Sequence, residues 1–292
     1  MPIQVYRQPQ EPTGRDPSLT LDSGLVADWL VRFLADECKR KRDVHKAIIG
    51  LSGGVDSAVT AYLCARAFGA ENVHCFRLPY TLSSPESMQH AQLVVDELGT
   101  NERTIDISPM VDGYVQTAEA EIGPTRLGNI CARCRMAVLF DQSAKLGGLP
   151  IGTSNKTERF FGYFTWHADD SPPINPLGDL FKSQVWDLAG ELGVPSEIVQ
   201  KAPTADLVTG QTDEGDFGVS YDTLDRILIR TLRGWSSQKL VSAGFKSDDV
   251  ETVRAKVSGT HWKRHLPTVA MMSDTSINEY YLRPVDYQGV ER

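Results

Sequence analysis

Ala47-Ile48-Ile49-Gly50-Leu51-Ser52-Gly53-Gly54-Val55-Asp56-Ser57 is the stretch that decides the fold. Three buried-type residues enter a glycine turn, and residues 56–68 carry a helical pattern closed by Gly69, so the stretch reads as strand, turn, helix. The turn is neither a Walker A loop, since no Lys follows the glycines, nor the dinucleotide GxGxxG. Its physics is still that of an anion site. Glycines let the backbone approach a phosphate, the next amides point at it, and the helix N-terminus favours negative charge. Ser52 and Ser57 add hydroxyl donors. A bare phosphate would repel Asp56, which suits a divalent cation bridging phosphate oxygens.

Outward from this turn, the strand-helix alternation continues. Residues 73–78 read as a strand. Ser84-Pro85 is a helix start, and Met88, Ala91, Val95 and Leu98 carry that helix to Gly99. Residues 104–107 read as a third strand, 129–146 as a long helix and 149–152 as a fourth strand. Such alternation predicts an α/β fold, a doubly wound parallel sheet covered on both faces. Residues 153–178 and 202–219 read as loops, while 182–192, 221–232 and 248–257 read as helices, so a helical C-terminal part is expected on the core. Upstream, Leu25, Trp29, Leu30, Phe33 and Leu34 recur at helical spacing before the basic run Lys39-Arg40-Lys41-Arg42, which reads as a solvated helix end. Residues 1–20 are proline-bearing and aperiodic and are expected to form a flexible N-terminal arm, with 21–292 as a single domain.

The chain has 292 residues, 41% hydrophobic and 23% charged, which is ordinary for a globular enzyme. Thirty Lys and Arg against thirty-eight Asp and Glu give a net charge of −8. That balance argues against a nucleic-acid partner, which needs many cations facing phosphates. No run approaches the roughly 20 apolar residues of a membrane span, and the first fifteen residues hold no apolar signal core, so no membrane partner and a cytoplasmic location are expected. The five cysteines read as reduced thiols. Cys131 and Cys134 form a CxxC inside a helix with no second Cys/His pair at zinc spacing, which favours packing over metal.

The SGGVDS turn resembles the pyrophosphatase loop of ATP-dependent adenylating enzymes, and five later blocks narrow the resemblance. They are Gly128-Asn129-Ile130-Cys131-Ala132-Arg133-Cys134-Arg135-Met136, Gly152-Thr153-Ser154-Asn155-Lys156-Thr157-Glu158, the 175–185 stretch NPLGDLFKSQV, the pair PTADL (203–207) and GQTDE (210–214), and Lys263-Arg264-His265-Leu266-Pro267. In this order they resemble the ammonia-dependent NAD synthetase family. The resemblance implies an adenine-nucleotide α-hydrolase-like fold. It also implies ATP and Mg2+ as cofactors, deamido-NAD and ammonia as substrates, and a homodimer. No appended glutaminase domain is expected beside that core within the 292 residues.

Carried over residue by residue, the resemblance makes Gly50, Leu51, Ser52, Gly53, Gly54, Val55, Asp56 and Ser57 the phosphate loop. Asp56 and Glu158 become magnesium ligands, and Thr153 and Thr204 ATP contacts. Lys182 becomes the cation that neutralises departing pyrophosphate. Thr153 otherwise reads as a helix cap, and Thr204 as a turn hydroxyl. Arg133 and Arg135, two apart, face different ways on their helix. Arg135 is the expected substrate contact, and Arg133 a structural partner. Lys263 and Arg264 are expected to cover the site from a mobile C-terminal segment. Ammonium must lose a proton before it attacks, and Asp206 or Asp213 could take it.

The implied reaction is amidation through an acyl-adenylate. Departures cluster on the acid side, in residues 162–174. There Trp166 and Pro173 stand opposite a Lys and an Asp that contact deamido-NAD in many members of the family. Trp166 either stacks on a pyridine ring or fills a core gap. Cys134 and His265 depart too. These changes leave open an adenylating amide synthetase acting on a different carboxylic acid. Intact Asp56, Glu158 and Lys182 speak against a non-catalytic ATP sensor.

Overall fold

The computed structural model describes residues 16–81, 83–119, 121–204, 212–265 and 268–273. Its sheet has four strands, β1 (Ala47–Gly50), β2 (Val73–Arg77), β3 (Asn101–Thr104) and β4 (Leu149–Pro150), in the order β3-β2-β1-β4. All pairings are parallel. The chain therefore runs outward from β1 to β3 and returns to β4 on the other side of β1. That reversal opens a crevice beyond the carboxyl ends of β1 and β4, the place where open α/β sheets bind ligands.

Twelve α-helices accompany these strands among the described residues: α1 (Ser23–Leu34), α2 (Val55–Phe68), α3 (Pro85–Leu98), α4 (Ser108–Ala118), α5 (Pro124–Leu146), α6 (Lys156–Phe161), α7 (Lys182–Leu192), α8 (Ser196–Gln200), α9 (Asp213–Phe217), α10 (Tyr221–Leu232), α11 (Ser237–Ser242) and α12 (Ser247–Gly259). Side chains alternate across β1 as strand geometry requires. Ala47 and Ile49 join the core under α1, α2 and α7. Ile48 joins Phe76, Ile107, Val111, Cys131 and Val138 under α4 and α5 on the opposite face. A third core, around Phe161, Phe217, Tyr221, Leu224, Val250 and Val253, unites α6, α9, α10 and α12.

Several sequence expectations shift. The third strand lies at Asn101–Thr104 and not at 104–107, because it is an exposed edge strand of polar residues, while the apolar Ile107 is buried just before α4. The two expected loops each contain a helix. Asn155 and Glu158 close a capping box that starts α6, and Thr212 caps α9. The long helix starts five residues early, at Pro124 in its first turn. Within the expected arm, Pro17–Leu19 form a 3₁₀ turn with Leu19 buried, and Arg230 Nη2 pairs with Asp16 Oδ2 at 2.6 Å. The basic run is held at the surface by Asp36 and Glu37. Cys131 is buried in the α5 core with Cys134 beside it.

Candidate active site at the carboxyl ends of the strands

The phosphate loop leaves β1 under tension from two sides. Leu51 N donates to Phe76 O at 2.8 Å, which carries the β1–β2 pairing past the strand end. Gly53 then takes φ +79°, and a Cβ placed there would lie 2.1 Å from the Ser87 carbonyl oxygen of α3. Only glycine meets both conditions without a shift. Ser57 Oγ donates to Gly54 O at 2.9 Å and accepts from Ser52 N at 3.2 Å, so the serines brace the loop from inside. Asp56 sits in the first turn of α2, where the helix dipole favours a carboxylate.

Beyond β4, the second loop brings its own carboxylate to the same point. Asn155 Oδ1 accepts from Glu158 N at 2.9 Å, and Glu158 Oε2 accepts from Asn155 N at 3.3 Å. The amide of Asn155 also reaches across the crevice, Nδ2 donating to Asp56 Oδ1 at 3.0 Å. Lys182, at the start of α7, completes the cluster. Its ammonium lies against Asp56 Oδ2 and 3.8 Å from Glu158 Oε1. Lys182 is 2% exposed, so the ammonium is enclosed with the two carboxylates.

Charge in this cluster is unbalanced. Burial works against the Lys182 ammonium, but the Asp56 and Glu158 carboxylates outweigh it and hold the pKa above the usual lysine value. Burial, then the Asp56 carboxylate, pushes Glu158 well above the usual carboxylate range, and Lys182 offsets only part of that. Two carboxylates facing one ammonium have room for a second cation. Among the described residues, no three His, Cys, Asp or Glu side chains gather as a metal cage. A pair of carboxylates completed by substrate phosphate oxygens is instead the usual way of holding magnesium, so the donor set fits that ion.

A single cleft of about 730 Å³ runs from this cluster along α5 to the 162–172 stretch and the C-terminal turn. Gly50, Leu51, Ser52, Gly54, Val55, Asp56, Ser57, Arg135, Thr153, Glu158, Lys182, Thr204, Asp213 and Lys263 all line it. Thr153 is not the helix cap, because Asn155 fills that position. Arg135 lines the cleft with Nε donating to Leu78 O at 2.9 Å, whereas Arg133 donates to Trp166 O at 3.2 Å. Asp213 is buried, and its Oδ2 accepts from Tyr221 OH at 2.9 Å. Burial raises its pKa, and the Tyr221 hydroxyl and the Lys182 charge counter this in part. Asp206 lies outside the described residues.

The C-terminal pair divides. Lys263 Nζ donates to the carbonyls of Gly162 and Phe164 at 2.6 and 2.5 Å and stands 4.3 Å from the Phe164 ring centroid. Arg264 does not line the cleft. Its guanidinium is engaged by the carbonyls of Phe160 and Val257, at 3.1 and 3.0 Å. Trp166 lies outside the lining as well, packed between His167 (ring centroids 4.0 Å apart) and the edge of Trp262 (5.1 Å).

Sequence reasoning missed four residues here. Asn155 was legible as the cap of an N-x-x-E box. Asp225 was legible as an acid on the apolar face of an amphipathic helix. Tyr221 read only as the first residue of the 221–232 helix. Lys201, which lines the cleft with Nζ donating to Ser87 Oγ at 3.0 Å, carried no signal.

A phosphate loop at the switch point of a parallel sheet, faced by a buried lysine and two carboxylates, defines a nucleotide-binding protein of the adenine-nucleotide α-hydrolase-like fold. The family model described as NAD synthase matches residues 26–267, and the chain belongs to that family. An NH(3)-dependent NAD(+) synthetase of Trichlorobacter lovleyi is 45% identical over 261 residues, which cover 89% of this chain and 95% of that protein. Among solved structures, an NMN synthetase from Francisella tularensis superposes with TM-score 0.77 at 31% identity, covering 86% of this chain and 99% of the other. An NH3-dependent NAD synthetase from Campylobacter jejuni superposes with TM-score 0.74 at 26% identity, covering 86% and 100%.

Proposed function

We propose that the protein is an ammonia-dependent NAD synthetase, which joins ammonia to the nicotinate carboxylate of deamido-NAD at the expense of ATP. The observation that carries this reading is the buried Lys182 ammonium, shared by Asp56 and Glu158 at the end of the phosphate loop. The loop amides and Lys182 hold the β- and γ-phosphates, with Thr153 and Thr204 against the nucleotide. A carboxylate oxygen of the acid attacks the α-phosphorus, the bond to the bridging oxygen breaks, and pyrophosphate leaves toward Lys182. Asp56 and Glu158 would hold magnesium, which when bound supplies positive charge to the phosphate oxygens.

Ammonia then attacks the acyl carbon of the adenylate, the acyl–oxygen bond breaks, and AMP departs with that oxygen. Asp213 receives the proton that ammonium gives up. Its raised pKa keeps it closer to neutral pH than an ordinary aspartate, which suits a proton acceptor. Arg135 and Lys263 face the anionic acid, and Arg264 supports it indirectly by fixing the carbonyl end of α6.

The family resemblance to a homodimer is supported by apolar side chains left open on α4 and α5: Met110 (45% exposed), Tyr114 (51%) and Phe140 (38%). A cytoplasmic location is supported by five unpaired cysteines. No helix among the described residues is long and apolar enough to cross a membrane.

A second reading keeps the chemistry and changes the acid. The likeness to an NMN synthetase favours the acid form of that product, nicotinate mononucleotide, as the other candidate. The test is turnover with ATP, magnesium and ammonium, with each acid in parallel. Faster amidation of deamido-NAD supports the first reading. Faster amidation of the mononucleotide replaces it with the second, and amidation of neither overturns both.

A further inference from the structure

Helix α10 carries a buried acid that the reaction above does not use. Asp225 is 0% exposed and shares the apolar face of α10 with Leu224 and Leu228. An ionised carboxylate in that setting is costly unless strong donors surround it. Its donors come from the two elements that bear the site. Oδ1 accepts from the Thr157 hydroxyl, one residue before Glu158 on α6. Oδ2 accepts at 2.9 Å from the backbone amide of Ser183, one residue after Lys182 on α7.

The Thr157 oxygen in turn accepts from the Lys182 amide at 2.9 Å. Two of the unsatisfied donors at the start of α7 are therefore met from α6 and α10. Phe181, at the N-cap position, has no side chain that could do this. One turn from Asp225 on the same face, Tyr221 is also 0% exposed. Its hydroxyl donates to Asp213, and its ring centroid lies 5.5 Å from Lys182 Nζ.

We propose that Asp225 and Tyr221 are positioning residues of the reaction, Asp225 setting the Lys182 ammonium against the phosphate loop by capping α7 and Tyr221 setting the Asp213 carboxyl that receives the ammonia proton. The two halves of the chemistry are thus referenced to one face of one helix. This explains why a sheet-borne site carries a helical C-terminal part. The assignment of steps rests on the amidation reading above.

The test separates the two half-reactions in Asp225→Asn and Tyr221→Phe, each with a melting curve as a control for folding. Adenylation is read as exchange of labelled pyrophosphate into ATP without ammonia, and amide formation as a function of ammonium concentration. Asp225→Asn is expected to slow exchange by about 10- to 100-fold, the size seen when outer-sphere partners of a reacting group are removed. Its ammonium KM should be unchanged. Tyr221→Phe is expected to slow the ammonia-dependent step by about tenfold and leave exchange near the wild-type rate. Folded variants that keep both steps, or lose both equally, overturn the assignment.

Calorimetric titration with pyrophosphate in magnesium buffer needs no acid substrate, so it distinguishes a failure of this proposal from a failure of the amidation reading. Thr157→Val should weaken pyrophosphate binding and Thr157→Ser should restore it, and this pair carries the test if Asp225→Asn does not fold. Equal pyrophosphate affinity in Thr157→Val and the wild type contradicts the proposal.

Discussion

At one end of the cleft, every contact among Asp56, Asn155, Glu158 and Lys182 uses a side-chain atom of at least one partner. At the other, Lys263, Arg133 and Arg264 hold the 160–166 stretch through its backbone oxygens. The difference has a consequence for what each end tolerates. A side-chain network fails when any member changes, because the remaining buried charge or donor is left without a partner. A segment held by its carbonyls keeps its path while its own side chains change. Trp166, one of the departures that the family resemblance picks out, lies in that stretch. The first end therefore depends on the identity of each residue, and the second on the path of its backbone.

The sharpest way to break this comparison is Lys182→Met. It leaves Asp56 and Glu158 facing each other, and kcat should fall by about 10²- to 10³-fold. Added magnesium should recover stability but not rate, as read by melting curves with and without the ion. Gly53→Ala comes next. The new methyl would meet the Ser87 carbonyl at a left-handed φ, at a cost of about 1–3 kcal/mol of strain. The expected readout is a lower Tm and weaker ATP binding, with the KM for the acid little changed.

Trp166→Ala sharpens the contrast from the other end. Loss of the Trp262 and His167 contacts is worth about 0.5–1.5 kcal/mol of order beside the cleft, which limits the rise in the KM for the acid to about tenfold. ATP affinity should be unaffected, and an equal change in both would merge the two ends into one.

A further effect is in stability against pH. Burial raises the pKa of Asp225 from 3.8 to about 6, with the Thr157 hydroxyl, Ser183 and the Lys182 charge opposing the shift. A raised acid pKa contributes stability that is full below 3.8 and is lost as pH rises through about 6. Asp225→Asn has no such dependence. The wild-type Tm minus the variant Tm should therefore fall by on the order of 5 °C between pH 4 and pH 6.5, as measured by scanning calorimetry.

The sheet was legible because Ala47-Ile48-Ile49 is a fully buried apolar run, and because Val73, Cys75 and Phe76 are the buried residues of the second strand, with His74 and Arg77 half-buried. The edge strand was not, since Asn101–Thr104 pair on one side only and are polar. Cleft residues borne by motifs came together as expected, from the phosphate loop to Asp213 and Lys263. Arg264 escaped because adjacent residues in a 3₁₀ turn point to different sides, a geometry that the sequence does not display. Asp225 shows in the sequence as an acid on an apolar helix face, but its role lies in contacts with Thr157 and Ser183, 68 and 42 residues away.

In the proposed reaction the acid is activated as its adenylate before ammonia attacks. This order is tested by amidating deamido-NAD labelled with ¹⁸O in the nicotinate carboxylate and weighing the AMP released. One ¹⁸O atom in the phosphate of AMP is the predicted result. AMP without label, or ADP and phosphate in place of AMP and pyrophosphate, would contradict it.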